Sequence, residues 1–248
     1  MDNKNRLSEL CKRIESDLPS LVNEKRLRHI FGVRDTAVYL AKTMRDFGAE
    51  DYIIEAECAS LLHDVTKYMK QDELCERYGI ALSESDKRSP QTLHAITGAY
   101  YARDVYADCG ITEEIFSAVE RHTVGASEMT LLDDIIFISD YCEETREHEE
   151  CQRTRKKLLN RLSEICEKQG DEVLTSSLET LDFIKCEILG KTVKYLSEKG
   201  DFIHPATVLT FKETIGKHEG SKDFECLLSE YSQYMSAESE SAGKSTDF

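Results

Sequence analysis

Ala59-Ser60-Leu61-Leu62-His63-Asp64-Val65-Thr66-Lys67 decides how this chain is read, because it sets an imidazole beside a carboxylate at the end of an apolar helical run. One imidazole and one carboxylate under-ligate a metal ion, so the stretch directs attention to other His and Asp residues that helices could bring in. His29, His94, His122 and Asp140 are those candidates. His63 and Lys67, four apart, project the same way. Asp64 is rotated by about 100° and reaches the same point only where the helix end faces a cavity.

Outward from this stretch the apolar residues recur at helical spacing. Leu7, Leu10, Cys11, Ile14 and Leu18 predict an N-terminal helix ending at Pro19. A longer helix spans Asn23 to Phe47, striped by Ile30, Val33, Ala37, Leu40 and Met44, with Gly48 as its C-cap and Arg26 and His29 one turn apart. The helix carrying the pivotal pair begins near Glu50 or Asp51 and runs through Val65. A short polar helix follows over Gln71 to Tyr78, then a loop by composition over Ser83 to Ser89. Ser89 and Pro90 read as N-cap and first position of the helix that carries His94. Thr112 caps a helix that places His122 in line with Ile115 and Val119. Thr130 and Asp133 form a capping box ahead of Ile135-Ile136-Phe137-Ile138, which ends on Asp140.

Residues 143 to 150 read as a charged loop in which Arg146 is the one cation and His148 a surface residue. Helical patterns resume over Arg153 to Lys168 and Asp171 to Leu196, Gly200 stops the second, and a further helix ends near Ile215. Beyond Ser236 the apolar residues are too few to order the chain. No repeat and no strand series appears, so the expected fold is all-α. The expected organisation is an N-terminal helix over 1–22, a helical bundle over 23–215 with a C-terminal helical extension, and an acidic, largely disordered tail over 216–248.

With 48 acidic against 32 basic residues the net charge is −16, which opposes general binding to nucleic acid or anionic membrane; any phosphate site must be local. Nine cysteines without a C-x-x-C pair, and no signal peptide, predict free thiols in a reducing cytoplasm. No apolar run approaches the ~18 residues of a membrane span. A homodimer is compatible with all of this.

A lone helical histidine is more often a hydrogen-bonded core or surface residue than a ligand. The set changes the balance: His29, His63, Asp64, His94, His122 and Asp140 lie on or at the ends of predicted helices, and all but His94 lie in or beside apolar stripes. Unpaired, that much buried polarity is costly, and a shared cation satisfies it. Imidazole and carboxylate without thiolate suit iron, manganese, cobalt or zinc, and six ligands suffice for two ions bridged by Asp64. Such a pair clamps the attacking and leaving oxygens of a phosphoryl group and lowers the pKa of water, which suits hydrolysis of a phosphoric anhydride or ester. Arg26, Lys67 and Arg146 each lie three to six residues from a proposed ligand and read as phosphate clamps, although any one of them alone is more often a solvated charge.

His29, His63-Asp64 and Asp140, in that order along a helical chain, resemble the HD-domain metal-dependent phosphohydrolases. A longer series resembles, within them, the YqeK-type symmetrical bis(5′-nucleosyl)-tetraphosphatases: Arg26-Leu-Arg-His29, Leu61-Leu-His63-Asp64-Val-Thr-Lys67, Leu93-His94 with Gly98-Ala99, Arg121-His122-Thr123-Val-Gly125, Ile136-Phe-Ile-Ser-Asp140-Tyr141 with Arg146, and Ile203-His204-Pro205-Ala-Thr207. The likeness spans about residues 23 to 212; Lys212 departs from it, standing where the family has Asn. The resemblance implies an HD-domain bundle that cleaves diadenosine tetraphosphate into two ADP, with iron as the metal and manganese, cobalt or zinc as alternatives. It implies His29, His63, Asp64 and Asp140 as metal ligands and His94 and His122 as contacts to phosphate or a second ion, with Asp64, Lys67, His94 and His122 catalytic. Arg26, Lys67, Thr123 and Arg146 match nucleotide-phosphate contacts, with Asp64, His94, His122 and Asp140 also facing the nucleotide. Gly200, Asp201, Phe202, Ile203, His204 and Pro205 match a loop that closes over the nucleoside. Two rival readings are a hydrolase of the same fold acting on guanosine polyphosphates, deoxynucleotides or cyclic dinucleotides, and a non-catalytic nucleotide-binding helical module.

Overall fold

The run Ile53–Leu62 is charged only at the partly exposed Glu55 and Glu57: Ala56, Cys58, Ala59, Ser60, Leu61 and Leu62 are all buried, so other helices must cover most of it. The computed structural model, which describes residues 3–166, 170 and 172–235, supplies that cover. In chain order its helices are α1 (Asn3–Leu21), α2 (Glu24–Asp46), α3 (Ile53–Leu62), α4 (Gln71–Tyr78), α5 (Glu84–Arg88), α6 (Leu93–Val105), α7 (Glu113–Arg121), α8 (Leu131–Cys142), α9 (Glu149–Ile165), α10 (Glu172–Lys199), α11 (Pro205–Gly216) and α12 (Lys222–Met235). α1, α2, α7 and α8 surround α3, and α6 lies across α7 and α4. A second group gathers on α10, which packs against α8, α9, α11 and α12. No strand occurs among the described residues, as the all-α expectation requires. No helix among them is long and apolar enough to cross a membrane.

Local signals place most of these elements. Asn23, Thr112 and Thr130 accept the backbone N–H three residues on, and Thr130 with Asp133 closes the expected capping box. Leu7, Leu10, Ile14 and Leu18 are fully buried and share one apolar core with α2, α3 and α8, so α1 is built into the bundle.

Several expectations differ, among them the start of α9, which begins at Glu149 inside the stretch read as a loop and not at Arg153. Pro19 does not end α1, which continues to Leu21. Ser83 to Ser89 is not all loop: Ser83 caps α5, and Asp86 returns a bond to the Ser83 N–H, a capping box that the charged composition hid. Ser89 heads only a 3₁₀ turn, Pro90–Thr92, with no side-chain cap bond, before α6 starts at Leu93. The tail expected to be disordered from 216 instead forms α12, which buries Phe224, Leu227, Tyr231 and Met235. Each such side chain contributes roughly 1.5–3 kcal/mol of apolar burial, enough to hold a 14-residue helix against the bundle. The remainder of that tail, 236–248, lies outside the described residues, as do Lys168 and Asp171 at two expected helix ends.

Gly190 of α10 is the reason α12 can dock. A Cβ there would stand 2.3 Å from Cδ2 of the Tyr231 ring. Gly190→Ala is therefore expected to cost about 1–3 kcal/mol by overpacking and to speed hydrogen exchange selectively in α12.

Candidate metal centre

At the end of α3 the chain winds more tightly than the sequence pattern predicts. The Val65 N–H bonds Leu62 O at 3.1 Å, Lys67 N–H bonds Asp64 O at 3.0 Å, and Met69 N–H bonds Thr66 O at 2.9 Å. This three-residue spacing replaces the helix expected through Val65 and lets consecutive residues serve one centre. His63 Nε2 is 3.4 Å from Asp64 Oδ2. The turn is pinned to α6 by Thr66, whose hydroxyl donates to His94 O at 3.0 Å and meets Thr97 Oγ1 at 3.0 Å.

Three of the four imidazoles are oriented by their own helices. His63 Nδ1 lies 2.6 Å from Ser60 O, His122 Nδ1 2.6 Å from Val119 O, and His94 Nδ1 2.9 Å from Gln91 O. A carbonyl only accepts, so each of these rings donates from Nδ1 and, when neutral, presents the Nε2 lone pair inward. His29 is oriented across the fold instead, with Nδ1 3.1 Å from Glu143 Oε1. The inward nitrogens converge: His29 and His63 Nε2 are 3.3 Å apart, as are His94 and His122 Nε2. Each such pair needs a proton or a metal ion between its nitrogens.

The carboxylates complete the arrangement. Asp64 Oδ2 is 3.6 Å from His29 Nε2, Asp64 Oδ1 is 3.1 Å from His94 Nε2, and Asp140 Oδ1 is 3.0 Å from His29 Nε2. Asp64 Oδ1 is buried yet accepts no aligned hydrogen bond, the short approach of His94 notwithstanding. That orphaned oxygen and the facing lone pairs fit a metal. Two groups have the spacing to hold one, His29 with His63 and Asp64, and Asp64 with His94 and His122, and Asp64 belongs to both.

The electrostatics keep the donors available. Burial pushes His122 down to about 3, helped by neighbouring His63 and His94. Burial likewise lowers His94, against the opposing pull of Asp64. Burial opposes the charged form of Asp64, but His63, His94 and Lys67 hold the carboxyl well below its usual range. Asp140 is also held low against burial, chiefly by Arg146 and then His29. His29 moves the other way: burial lowers it, and hydrogen bonds to Asp140 and Glu143 more than offset that.

The expected phosphate clamps stand at the rim. Arg26 Nη1 bonds Asp64 Oδ2 at 2.5 Å, Arg146 Nη2 bonds Asp140 Oδ1 at 2.6 Å, and Lys67 Nζ lies 3.0 Å from His94 Nε2. Thr123 Oγ1 is 3.0 Å from His122 Nε2. Gly200 to Pro205 reach the neighbourhood rather than the ligands. His204 caps α11 and touches Asp86 at 3.3 Å, Phe202 stacks under Arg88, and Thr207 donates to Val124 O beside His122. Lys212 is exposed on α11. His148 is exposed, as expected, but lines the cavity at Arg26 and Arg146.

Glu143 is the residue that sequence reasoning missed. It was expected in a solvated loop, yet it is 1% exposed, holds His29, and accepts from Thr145 N–H at 2.5 Å and Thr145 Oγ1 at 2.8 Å. Gly32, one turn after His29, makes its space: a Cβ there would lie 2.3 Å from Glu143 Oε2. That glycine was the available signal. Glu143→Gln is expected to weaken metal binding by roughly 10–100-fold through loosened His29, read by metal titration. Gly32→Ala should do the same without changing any charge.

Comparison with known proteins agrees with this geometry. The HD domain family model matches residues 26–145. The symmetrical bis(5′-nucleosyl)-tetraphosphatase of Halalkalibacterium halodurans is 29% identical over 197 residues, 78% of this chain and 91% of that protein. The protein of the same name from Staphylococcus aureus is 32% identical over 145 residues, 56% of this chain and 67% of its own length. A crystal structure of a "predicted HD superfamily hydrolase involved in NAD metabolism" from Clostridium acetobutylicum superposes with a TM-score of 0.69 at 29% identity, covering 83% of this chain and 97% of that one. With an all-α bundle, a shared His/Asp centre and these relatives, the chain belongs to the HD-domain hydrolases, in the family of the symmetrical bis(5′-nucleosyl)-tetraphosphatases.

Proposed function

We propose that this protein hydrolyses diadenosine tetraphosphate, and related dinucleoside polyphosphates, at the middle of the phosphate chain to give two ADP. The observation that carries the reading is the position of Asp64, one carboxylate shared by two groups of imidazoles and bonded to Arg26, with Arg146 bonded to the neighbouring Asp140. We assign His29, His63, Asp64 and Asp140 as ligands of the primary ion. His94 and His122, with Asp64, hold a second ion or the phosphate. The donor set suits iron, and a metal bound here polarises phosphoryl oxygens and lowers the pKa of water.

The chain's own residues do the rest. Arg26 and Arg146 present guanidinium groups to the phosphates while tied to Asp64 and Asp140, so their positions are fixed before substrate arrives. Lys67, lowered by burial in spite of Asp64, lies over His94 and neutralises charge on the departing ADP. Thr123 fixes the His122 edge of the site. The loop 200–205 leads into α11, whose Thr207 bonds Val124 O, and closes over one nucleoside. Nine free cysteines support a reducing, cytoplasmic setting.

Product analysis tests the reading. Purified protein supplied in turn with iron, manganese and cobalt should convert diadenosine tetraphosphate to ADP alone. ATP with AMP, or no product with any of the three metals, would overturn it. Metal analysis of the protein as purified tests the assignment of iron.

A further inference from the structure

A chain of four phosphates cut at its centre leaves two equal halves; the loop 200–205 has been assigned one nucleoside, and no residue has yet been assigned to the other. Asp64 divides the site. Its Oδ1 faces His94 at 3.1 Å and Lys67 at 3.7 Å, on the side where Thr123 meets His94 and Thr207 of α11 bonds Val124 O. Its Oδ2 faces Arg26 at 2.5 Å and His29 at 3.6 Å. On this second flank opens a cavity of about 570 Å³ whose lining includes four cations, Lys25, Arg26, Arg28 and Arg146, against the acids Glu143 and Glu147, together with Tyr68 and His148, and no residue of the 200–205 loop lines it. Its volume falls among small-molecule sites, roughly 300–1,000 Å³.

The charges on this flank are out of keeping with the rest of the molecule. In a chain of net charge −16, Lys25 and Arg28 are exposed and make no ion pair among the described residues. With Arg26 they occupy the start of α2, where the helix dipole favours anions and cations are disfavoured. Lys25, beside Glu24 in the first turn, and Arg28, in the second, gain nothing from the dipole, while Arg26 is held by Asp64. The Arg26 N–H is bonded to Asn23 Oδ1, so it is the side chains of Lys25 and Arg28 that offer positive charge to an anion in the cavity. Tyr68, 54% exposed, and His148 put flat rings at the same cavity, the shape a nucleobase stacks on.

We infer that this cavity is the second nucleotide subsite, in which Lys25 and Arg28 meet the phosphates of the other nucleoside diphosphate and Tyr68 and His148 take its base. The inference rests on the function proposed above and adds the residues that select two-ended over one-ended substrates.

Equilibrium dialysis of the manganese-loaded protein against saturating ADP is the test, paired with steady-state hydrolysis of diadenosine tetraphosphate. The parent should bind two ADP per chain. The Lys25→Ala, Arg28→Ala double variant should bind one, and its KM for diadenosine tetraphosphate should rise at least about tenfold, the loss expected from one charge-assisted contact or more. Its thermal midpoint should hold or rise, since two cations leave the start of α2, which separates lost binding from lost folding. Tyr68→Ala should weaken the second ADP and leave the first. One ADP per chain in the parent, or two in the double variant with unchanged KM, overturns the inference while leaving the hydrolase intact. A parent that makes no ADP from diadenosine tetraphosphate overturns the underlying reading and this inference with it.

Discussion

Asp64→Ala protein is expected to be purified without its metal and to hydrolyse diadenosine tetraphosphate far more than ~100-fold slower than the parent, the loss that usually follows from disturbing only an orienting partner of a ligand. Asp64 is the one residue common to both ligand groups, so its removal undoes both at once. It also frees Arg26, whose guanidinium bonds Asp64 Oδ2. Metal analysis and ADP release, measured on the same preparation, check the two losses together. Full metal content with lost turnover would show that the imidazoles suffice to hold the ion and would restrict Asp64 to the reacting phosphate. Full activity would sink the shared-centre account.

Lys185→Met is expected to destabilise the fold by about 3–5 kcal/mol, the usual cost of stripping the partner from a buried charge. Lys185 is 1% exposed and its Nζ bonds Asp134 Oδ1 at 2.8 Å and Asp182 Oδ1 at 2.8 Å, joining α8 to α10. Without it Asp134 has no cation, while Asp182 keeps His218 at 2.8 Å. Denaturant unfolding reads the effect, and a loss under 1 kcal/mol would show that water reaches the pair. The same cluster predicts a pH dependence. Burial raises Asp134 from 3.8 to about 6, more than Lys185 pulls it down. A carboxyl whose folded pKa lies above its unfolded one contributes stability that is fully present below the unfolded pKa and is lost as pH rises through the folded pKa. The parent should therefore lose stability relative to Asp134→Asn as pH rises from about 4 to 7, measured by paired thermal midpoints.

What was legible in the sequence was what is settled within a few residues. The caps at Thr112 and Thr130, the helix over Gln71–Tyr78 and the apolar stripes of α2 and α7 are local, and the structure has them where the pattern put them. The convergence of His29, His63, Asp64, His94, His122 and Asp140 was legible for another reason: buried polar groups on separate apolar stripes have few ways to be satisfied except together. Glu143 was illegible because it lies among charged residues, and only the space left by Gly32 distinguishes it from its solvated neighbours. α12 was illegible because its four buried side chains are spread through an acidic segment and find their partner in α10, far back in the chain. The turns after Leu62 depend on Thr66 reaching α6, a contact that no spacing within α3 announces.

The bonds from His63, His94 and His122 to carbonyls three residues earlier mean that each ring's proton is parked by the helix that bears it. Little rotamer freedom is left for an arriving ion to freeze out, so capture should be quick and should barely move the backbone. Loading would then report on supply of the ion in the surrounding medium, and the protein would behave as a ready socket instead of one moulded by its plug.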